Sequence, residues 1–186
     1  MAATPQIPDV VTPRLTLRLM DDKVMAKCLA GDLAGAGDLL GVRVPHDVLD
    51  RPTGLQWGLA QLRADPDYLP WSARAIIVSG EQRMVGHVRF HSRPDPEDLR
   101  AYAPDAVEFG YFVFADARGR GYATEAVAAL IQWANASFGV KAFAASIAPD
   151  NLPSLKLVSR LGFVKVDEKV DEIDGTEHVF LLRTGA

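Results

Sequence analysis

Arg118-Gly119-Arg120-Gly121-Tyr122-Ala123-Thr124-Glu125-Ala126 decides the reading of this chain. An apolar run suited to a central strand, 107–115, stands directly before it, and a helical pattern, 122–138, follows. The helix is read from Ala123, Ala126, Val127, Leu130, Ile131 and Ala134, which recur at i, i+3/i+4 and i+7. A glycine-rich turn between a strand and a helix gathers backbone N–H groups at the positive end of the helix dipole. Such a place binds anions, phosphates above all. Arg118 and Arg120 add charge there, so the turn is read as the site of a phosphate-bearing ligand. The competing reading is a tight turn that needs glycine only for its dihedrals.

Two familiar phosphate motifs are tested first. A Walker A loop is excluded, because no Gly-Lys-Ser/Thr follows. Gly119-x-Gly121 approaches a dinucleotide fingerprint, but Thr124 replaces the third glycine and no acidic residue ends the next strand.

Outward from the turn, a strand at 143–147 completes a βαβ unit over 107–147. Asn151 suits the N-cap of a short helix, 152–161, stopped at Gly162. Runs 163–170 and 178–183 form a hairpin around Asp174-Gly175. Upstream, Leu15, Leu17 and Leu19 alternate with polar residues as in a strand, and Asp21 or Asp22 can cap a helix reaching about Ala30. Runs 71–79 and 84–91 read as strands joined at Gly80-Glu81, and 92–105 as a Pro- and acid-rich loop. Segment 48–63 fits a helix despite Pro52 and Gly54, while 31–56 has no clear period. Residues 1–11 read as a loose arm and 12–186 as one domain.

The length of 186 residues suits a single core, and 48% apolar with 24% charged residues suits an ordinary globular protein. A net charge of −4 offers no general attraction to nucleic acid or to an anionic membrane, so neither is expected as a partner. A single cysteine, Cys28, cannot form an internal disulfide, which fits a reducing compartment. The N-terminus has no signal-peptide pattern and no apolar run approaches a membrane span, so a cytoplasmic location is expected. No Cys/His cluster is present, His46 and His178 stand alone, and no metal is expected.

Asn151-x-x-Ser154-x-x-Leu157-x-x-x-Leu161-Gly162-Phe163 lies about 30 residues beyond the glycine turn. Arg118-x-x-Gly121-x-Ala123 followed at this interval by that second pattern resembles the acetyl-coenzyme A site of the GNAT N-acetyltransferase family. Thr12-x-Arg14-Leu15-x-Leu17-Arg18 and Glu108-Phe109-Gly110-Tyr111 resemble its RimJ/RimL-type branch. The resemblance is strong over 107–163, fair over 12–30 and 71–91, and weak over 31–70.

The resemblance implies an α/β (α+β) fold: a mixed, mostly antiparallel sheet of six or seven strands, about four helices, and a central parallel strand pair that splays apart. It implies acetyl-CoA as co-substrate and an amine as acceptor, with 31–70 forming a helical region on the acceptor side. It assigns the pyrophosphate to backbone N–H groups of Arg118, Gly119, Arg120, Gly121, Tyr122, Ala123 and Thr124. It assigns the pantetheine arm to the backbone of Phe112 and Val113, and contact with the pantetheine or the sulfur end to Asn151 and Ser154. It also implies an oxyanion donor on the splayed strand, for which Val113 or Phe114 is the candidate. Asn151 serves equally as a plain N-cap.

Glu108 is the candidate base, on the same strand face as Phe112; a solvated strand-end carboxylate or a salt-bridge partner is the alternative. Some relatives use a tyrosine acid seven residues after the asparagine of the second motif. Val158 stands there instead, and Tyr111 and Tyr122 do not match that position. His87, Arg89 and His91 share one strand face and either line an acceptor pocket, meet a partner subunit or lie exposed. Trp57, Tyr68 and Trp71 shape the acceptor side or fill the core. The acceptor pocket is expected from 31–70 and from the 92–106 loop. A homodimer is compatible with the sequence. Two rivals stay open: a dinucleotide-binding oxidoreductase module, and a non-catalytic acetyl-CoA-binding sensor.

Overall fold

Asp21 accepts from the Val24 amide and starts helix α1 (Asp22–Leu29), directly after the strand in which Leu15 and Leu17 point inward. The computed structural model describes residues 7–171 and 175–185. In chain order its elements are β1 (Val10–Val11), β2 (Leu15–Leu19), α1, α2 (Leu33–Leu40), α3 (Thr53–Ala64), β3 (Arg74–Val78), β4 (Arg83–Phe90) and β5 (Ala106–Val113). They continue with α4 (Tyr122–Phe138), β6 (Ala142–Ile147), α5 (Leu152–Arg160), β7 (Val164–Asp171) and β8 (Gly175–Arg183). Short 3₁₀ turns lie at 46–49, 66–71, 97–99 and 115–117.

One sheet has the order β1-β2-β3-β4-β5-β6-β8-β7. Every neighbouring pair is antiparallel except β5 and β6. That parallel pair holds register only from Ala106↔Ala142 to Glu108↔Ala144. Beyond Glu108 the strands run on without pairing, β5 to Val113 and β6 to Ile147, so the expected splay is present.

The sheet is mixed and mostly antiparallel as expected, but the described residues form eight strands and five α-helices. Val10–Val11 adds an edge strand to β2. Of the expected loose arm, 1–6 lie outside the described residues, while 8–11 are tied down: Pro8 O accepts from Arg74 Nη1 at 3.1 Å and Asp9 pairs with Arg18 at 2.9 Å. Helix α2 was not legible because its sequence is glycine-rich. It is held instead by end groups, with Asp32 capping the Gly35 amide and Gly41 ending it at φ 66°. The tip of the hairpin expected around Asp174-Gly175 lies partly outside the described residues; Gly175 itself begins β8.

The core lies between the sheet and α4 on one face, and between the sheet and α1–α3 on the other. Val88, Phe90, Val107 and Phe143 of the sheet and Val127, Leu130 and Ala134 of α4 are buried in one cluster. Trp71 sits edge-on to Phe90 at 5.5 Å and to Trp133 at 6.2 Å, so it is core rather than acceptor side. Tyr68 is buried, its hydroxyl donating to Phe90 O. Cys28 is buried in α1, and burial pushes its thiol up to about 11, which leaves it inert.

Candidate active site

Alternation along β5 builds the first part of the site. His91 N donates to Glu108 O and Phe114 N donates to Val85 O. With His87↔Phe112 in register, the backbone of 108, 110, 112 and 114 therefore turns to β4. Phe109, Tyr111 and Val113 turn the other way, into the gap left by β6. The expectation for the pantetheine arm is corrected here: the Phe112 backbone is committed to β4, and Val113 is the one of the pair that faces the gap. Phe114 is likewise excluded as an oxyanion donor, since its amide is already used.

The glycine turn stands at the end of this gap. Gly119 and Gly121 adopt φ 75° and 80°, and Gly121 is the N-cap of α4 with no side chain capping it. Glu125 is the first amide of the helix to find a backbone acceptor, Gly121 O at 3.1 Å. The N–H groups of Tyr122, Ala123 and Thr124 thus form the open positive end of a 17-residue helix. Arg118 folds back, its Nε donating to Val113 O at 2.9 Å and its guanidinium lying over the Phe112 ring at 5.7 Å. Arg120 is exposed, and its carbonyl accepts from Arg14 Nη1.

Thr12 and Arg14 hold this turn from a distant part of the chain. Thr12 Oγ1 and Arg14 N donate to Glu125 Oε1 at 2.6 and 3.1 Å, and Arg14 Nε donates to Glu125 Oε2 at 2.6 Å. Arg14 also covers the Tyr122 ring at 5.1 Å. Burial alone raises the Glu125 carboxyl, but the bonds from Thr12 and Arg14 outweigh it and hold it below its usual range.

Asn151 caps α5 through the Ser154 amide at 3.3 Å. Ser154 Oγ meets the Tyr111 hydroxyl at 3.0 Å, tying α5 to the gap-facing part of β5. Burial raises the Tyr111 phenol above its ordinary value, with Ser154 working the other way. Sequence reasoning passed over Tyr111 because it matches no family position; only the fold brings it to the second motif.

Glu108 sits at the fork where β5 and β6 part. Its Oε1 accepts from Ser146 N at 2.9 Å, so it takes the place of the strand partner that this amide has lost. Its Oε2 lies 3.6 Å from His91 Nδ1. The side chain is 7% exposed. Burial alone raises its carboxyl, but His91, the Lys169 charge and the Ser146 amide outweigh this and bring it down to about 2. A carboxylate held so strongly in its ionised form is a poor proton acceptor. Glu108 is thus buried rather than solvated, and its ion pair with His91 matches the salt-bridge reading.

A cleft of about 490 Å³ opens beside this fork, lined by Glu108, Ser146, His91, Arg89, Trp57 and Gln61, with Asp98 at its rim. The expected contribution from 31–70 is α3, and that from 92–106 is the segment Ser92 to Asp98. Lys169 and Glu177 of the last hairpin complete it, and no signal in the sequence pointed to them. Of the shared face of β4, Arg89 and His91 line the cleft, whereas His87 is buried under α3 against Phe112. Burial, then the Arg89 charge, lowers His87 to about 4, so it is neutral. Among the described residues no group of three or more His, Cys, Asp or Glu is arranged to hold a metal. Nor is any described helix long and apolar enough to cross a membrane.

A parted parallel strand pair ending at an uncapped glycine turn, with a cleft at its fork, defines a class. Residues 14–164 match the family model of the acetyltransferase (GNAT) domain, and the chain belongs to that family. A putative GNAT-family acetyltransferase from Bordetella pertussis has the same fold, with a TM-score of 0.66 at 22% identity over 94% of this chain and 99% of that one. The ribosomal L7/L12 alpha-N-protein acetyltransferase RimL, solved with coenzyme A, has a TM-score of 0.63 at 14% identity over 95% of this chain and 98% of its own. An uncharacterised N-acetyltransferase, p20, of Bacillus licheniformis is 34% identical over 49% of this chain and 47% of its own length. The chain spans about half the length, or less, of the curated relatives it matches.

Proposed function

We propose that this chain transfers an acetyl group from acetyl-CoA to a primary amine by direct attack in a ternary complex. The observation that carries the reading is the meeting of three features at one place: the open amides of the glycine turn, the unpaired edge of β5, and the cleft at Glu108. The mixed antiparallel sheet also departs from the doubly wound parallel sheet that the oxidoreductase rival requires.

The amides from Gly119 to Thr124 hold the pyrophosphate of the coenzyme, the Arg118 amide being taken by Ala115 O, and the Tyr111 and Val113 backbone pairs with its pantetheine arm. The Val113 amide, turned into the gap, donates to the oxyanion that forms on the thioester carbonyl. An amine attacks only when neutral. Deprotonation at pH 7 costs about 4.6 kcal/mol for a lysine but only about 1–1.4 kcal/mol for an α-amine, so an α-amine needs little help. In its neutral form the His91 imidazole takes the amine proton, and the Glu108 carboxylate orients and stabilises the resulting imidazolium. Tyr111, braced by Ser154, returns a proton to the leaving thiolate.

Thiol release from acetyl-CoA, followed with α-amines, N-terminal peptides and lysine peptides, tests this. Turnover on an amine supports it. Protection from thermal unfolding by coenzyme A without turnover on any acceptor makes the protein a sensor. Protection by NAD(H) but not by coenzyme A favours the oxidoreductase.

A further inference from the structure

Arg89 is a buried charge without a counter-charge. It is 4% exposed, yet no described carboxylate lies within 4 Å of it. Arg14, Arg18, Arg83, Arg93 and Arg100 all have carboxylate partners, and all lie nearer the surface. Arg74 is also buried with no described carboxylate within 4 Å, but it lies over the Trp133 ring at 4.4 Å and donates to Pro8 O and Leu17 O. Arg89 differs in lining an open cleft, where a ligand can supply the anion that a buried guanidinium otherwise lacks.

Its surroundings fix it in place without neutralising it. Nη1 donates to Tyr68 Oη at 3.2 Å, to Phe90 O at 3.4 Å and to Gln61 Oε1 at 3.5 Å. Nε and Nη2 donate to no described acceptor, and the residue lines the cleft beside His91. Of the cleft's carboxylates, Glu108 is engaged by Ser146 N and His91 and Glu177 by Lys169 at 3.6 Å, while Asp98 is exposed and forms no ion pair with Arg89 within 4 Å. His87, next along the same face, is neutral and offers no charge.

We infer that Arg89 receives a carboxylate of the acceptor, and that the acceptor is a small amino acid rather than a polypeptide. This rests on the acetyltransferase reading above. Arg89 and His91 are two residues apart on one face, about 7 Å between their Cα atoms. An acceptor whose carboxylate meets the Arg89 fork therefore presents its amine toward the His91–Glu108 pair, a few bonds away. A guanidinium grips a carboxylate through two parallel bonds, which positions as well as attracts. The volume of about 490 Å³ suits a small molecule, and the exposed indole of Trp57 at the edge offers an apolar surface to its side chain.

The test pairs each free amino acid, α- and ω-amino acids included, with its own carboxamide as acceptor at saturating acetyl-CoA. The free acids should have KM values about 10- to 100-fold lower than the amides. Arg89→Gln should collapse that ratio toward one, with Arg89→Lys intermediate. The wild-type comparison needs no variant to fold, and calorimetry reads coenzyme binding separately. Equal use of acids and amides overturns the inference. So does better turnover on peptide N-termini, acidic ones included, or coenzyme binding with no reaction of any free amino acid. Peptide turnover leaves the acetyltransferase reading standing; failure to bind acetyl-CoA ends both.

Discussion

Arg14 Nε lies 2.6 Å from Glu125 Oε2, although 111 residues separate them, and Thr12 Oγ1 holds the other oxygen of the same carboxylate at 2.6 Å. The turn between β1 and β2 therefore clamps the first turn of α4, whose amides form the anion site. Arg14 is half exposed, so the pair itself contributes only about 0.2–1 kcal/mol to stability. Arg14→Ala should raise the acetyl-CoA dissociation constant about 3- to 10-fold while the melting temperature barely moves. Calorimetry beside a thermal melt checks both; an unchanged constant would show that the turn needs no clamp.

Gly121 tests the turn from inside. At φ 80° any side chain is strained, and a Cβ there would stand 3.4 Å from Arg14 Nη2. Gly121→Val should cut coenzyme affinity by on the order of 100-fold, the loss of charge-assisted bonds to phosphate. Gly119→Ala meets no atom within 4 Å and should lose less.

Glu108→Gln keeps an acceptor for Ser146 N but loses the charge beside His91. Turnover should fall about 100-fold with coenzyme affinity nearly constant. The native carboxyl is depressed from 4.5 to about 2, equivalent to about 3 kcal/mol. That contribution is full above about pH 5 and is lost as pH falls toward 2. The stability gap between wild type and variant in urea unfolding should therefore be wider at pH 5 than near pH 3. An inflection in the pH–rate profile between pH 3 and 5 would instead return Glu108 to the role of base.

Gly110 leaves room for the His91 ring, because a Cβ there would lie 2.4 Å from Nε2. Gly110→Ala should displace the imidazole and lower kcat/KM at least about 10-fold without weakening coenzyme binding. His91→Ala should cost as much, and the double variant no more than either, as a double-mutant cycle will report. Additive losses would separate the two residues.

Tyr111 keeps its proton throughout the neutral range, since burial raises its phenol. Tyr111→Phe should slow turnover about 10-fold or more with acetyl-CoA. An acetyl thioester of a more acidic thiol should recover most of the loss, because its leaving group needs no proton. Equal slowing with both would make the Tyr111–Ser154 contact a brace only.

The sequence by itself determined the parts built from neighbours. Helix α4 runs from Tyr122 to Phe138 as its period required, Asn151 caps α5, and the glycine turn lies between strand and helix. Those features are local, since a 3.6-residue period, a cap and a positive φ are each settled within a few residues. Tertiary structure alone decided the rest. The clamp of Arg14 on Glu125, the capture of the Ser146 amide by Glu108, the Tyr111–Ser154 contact and the unpaired charge of Arg89 join residues far apart in the chain. Each depends on which groups the fold brings within reach of one another, at the half-exposed Arg14 as well as at the buried Glu108 and Arg89. A partner's presence or absence then outweighs residue type: Glu108 is set by the Ser146 amide and His91 that surround it, neither of which is adjacent to it in the chain.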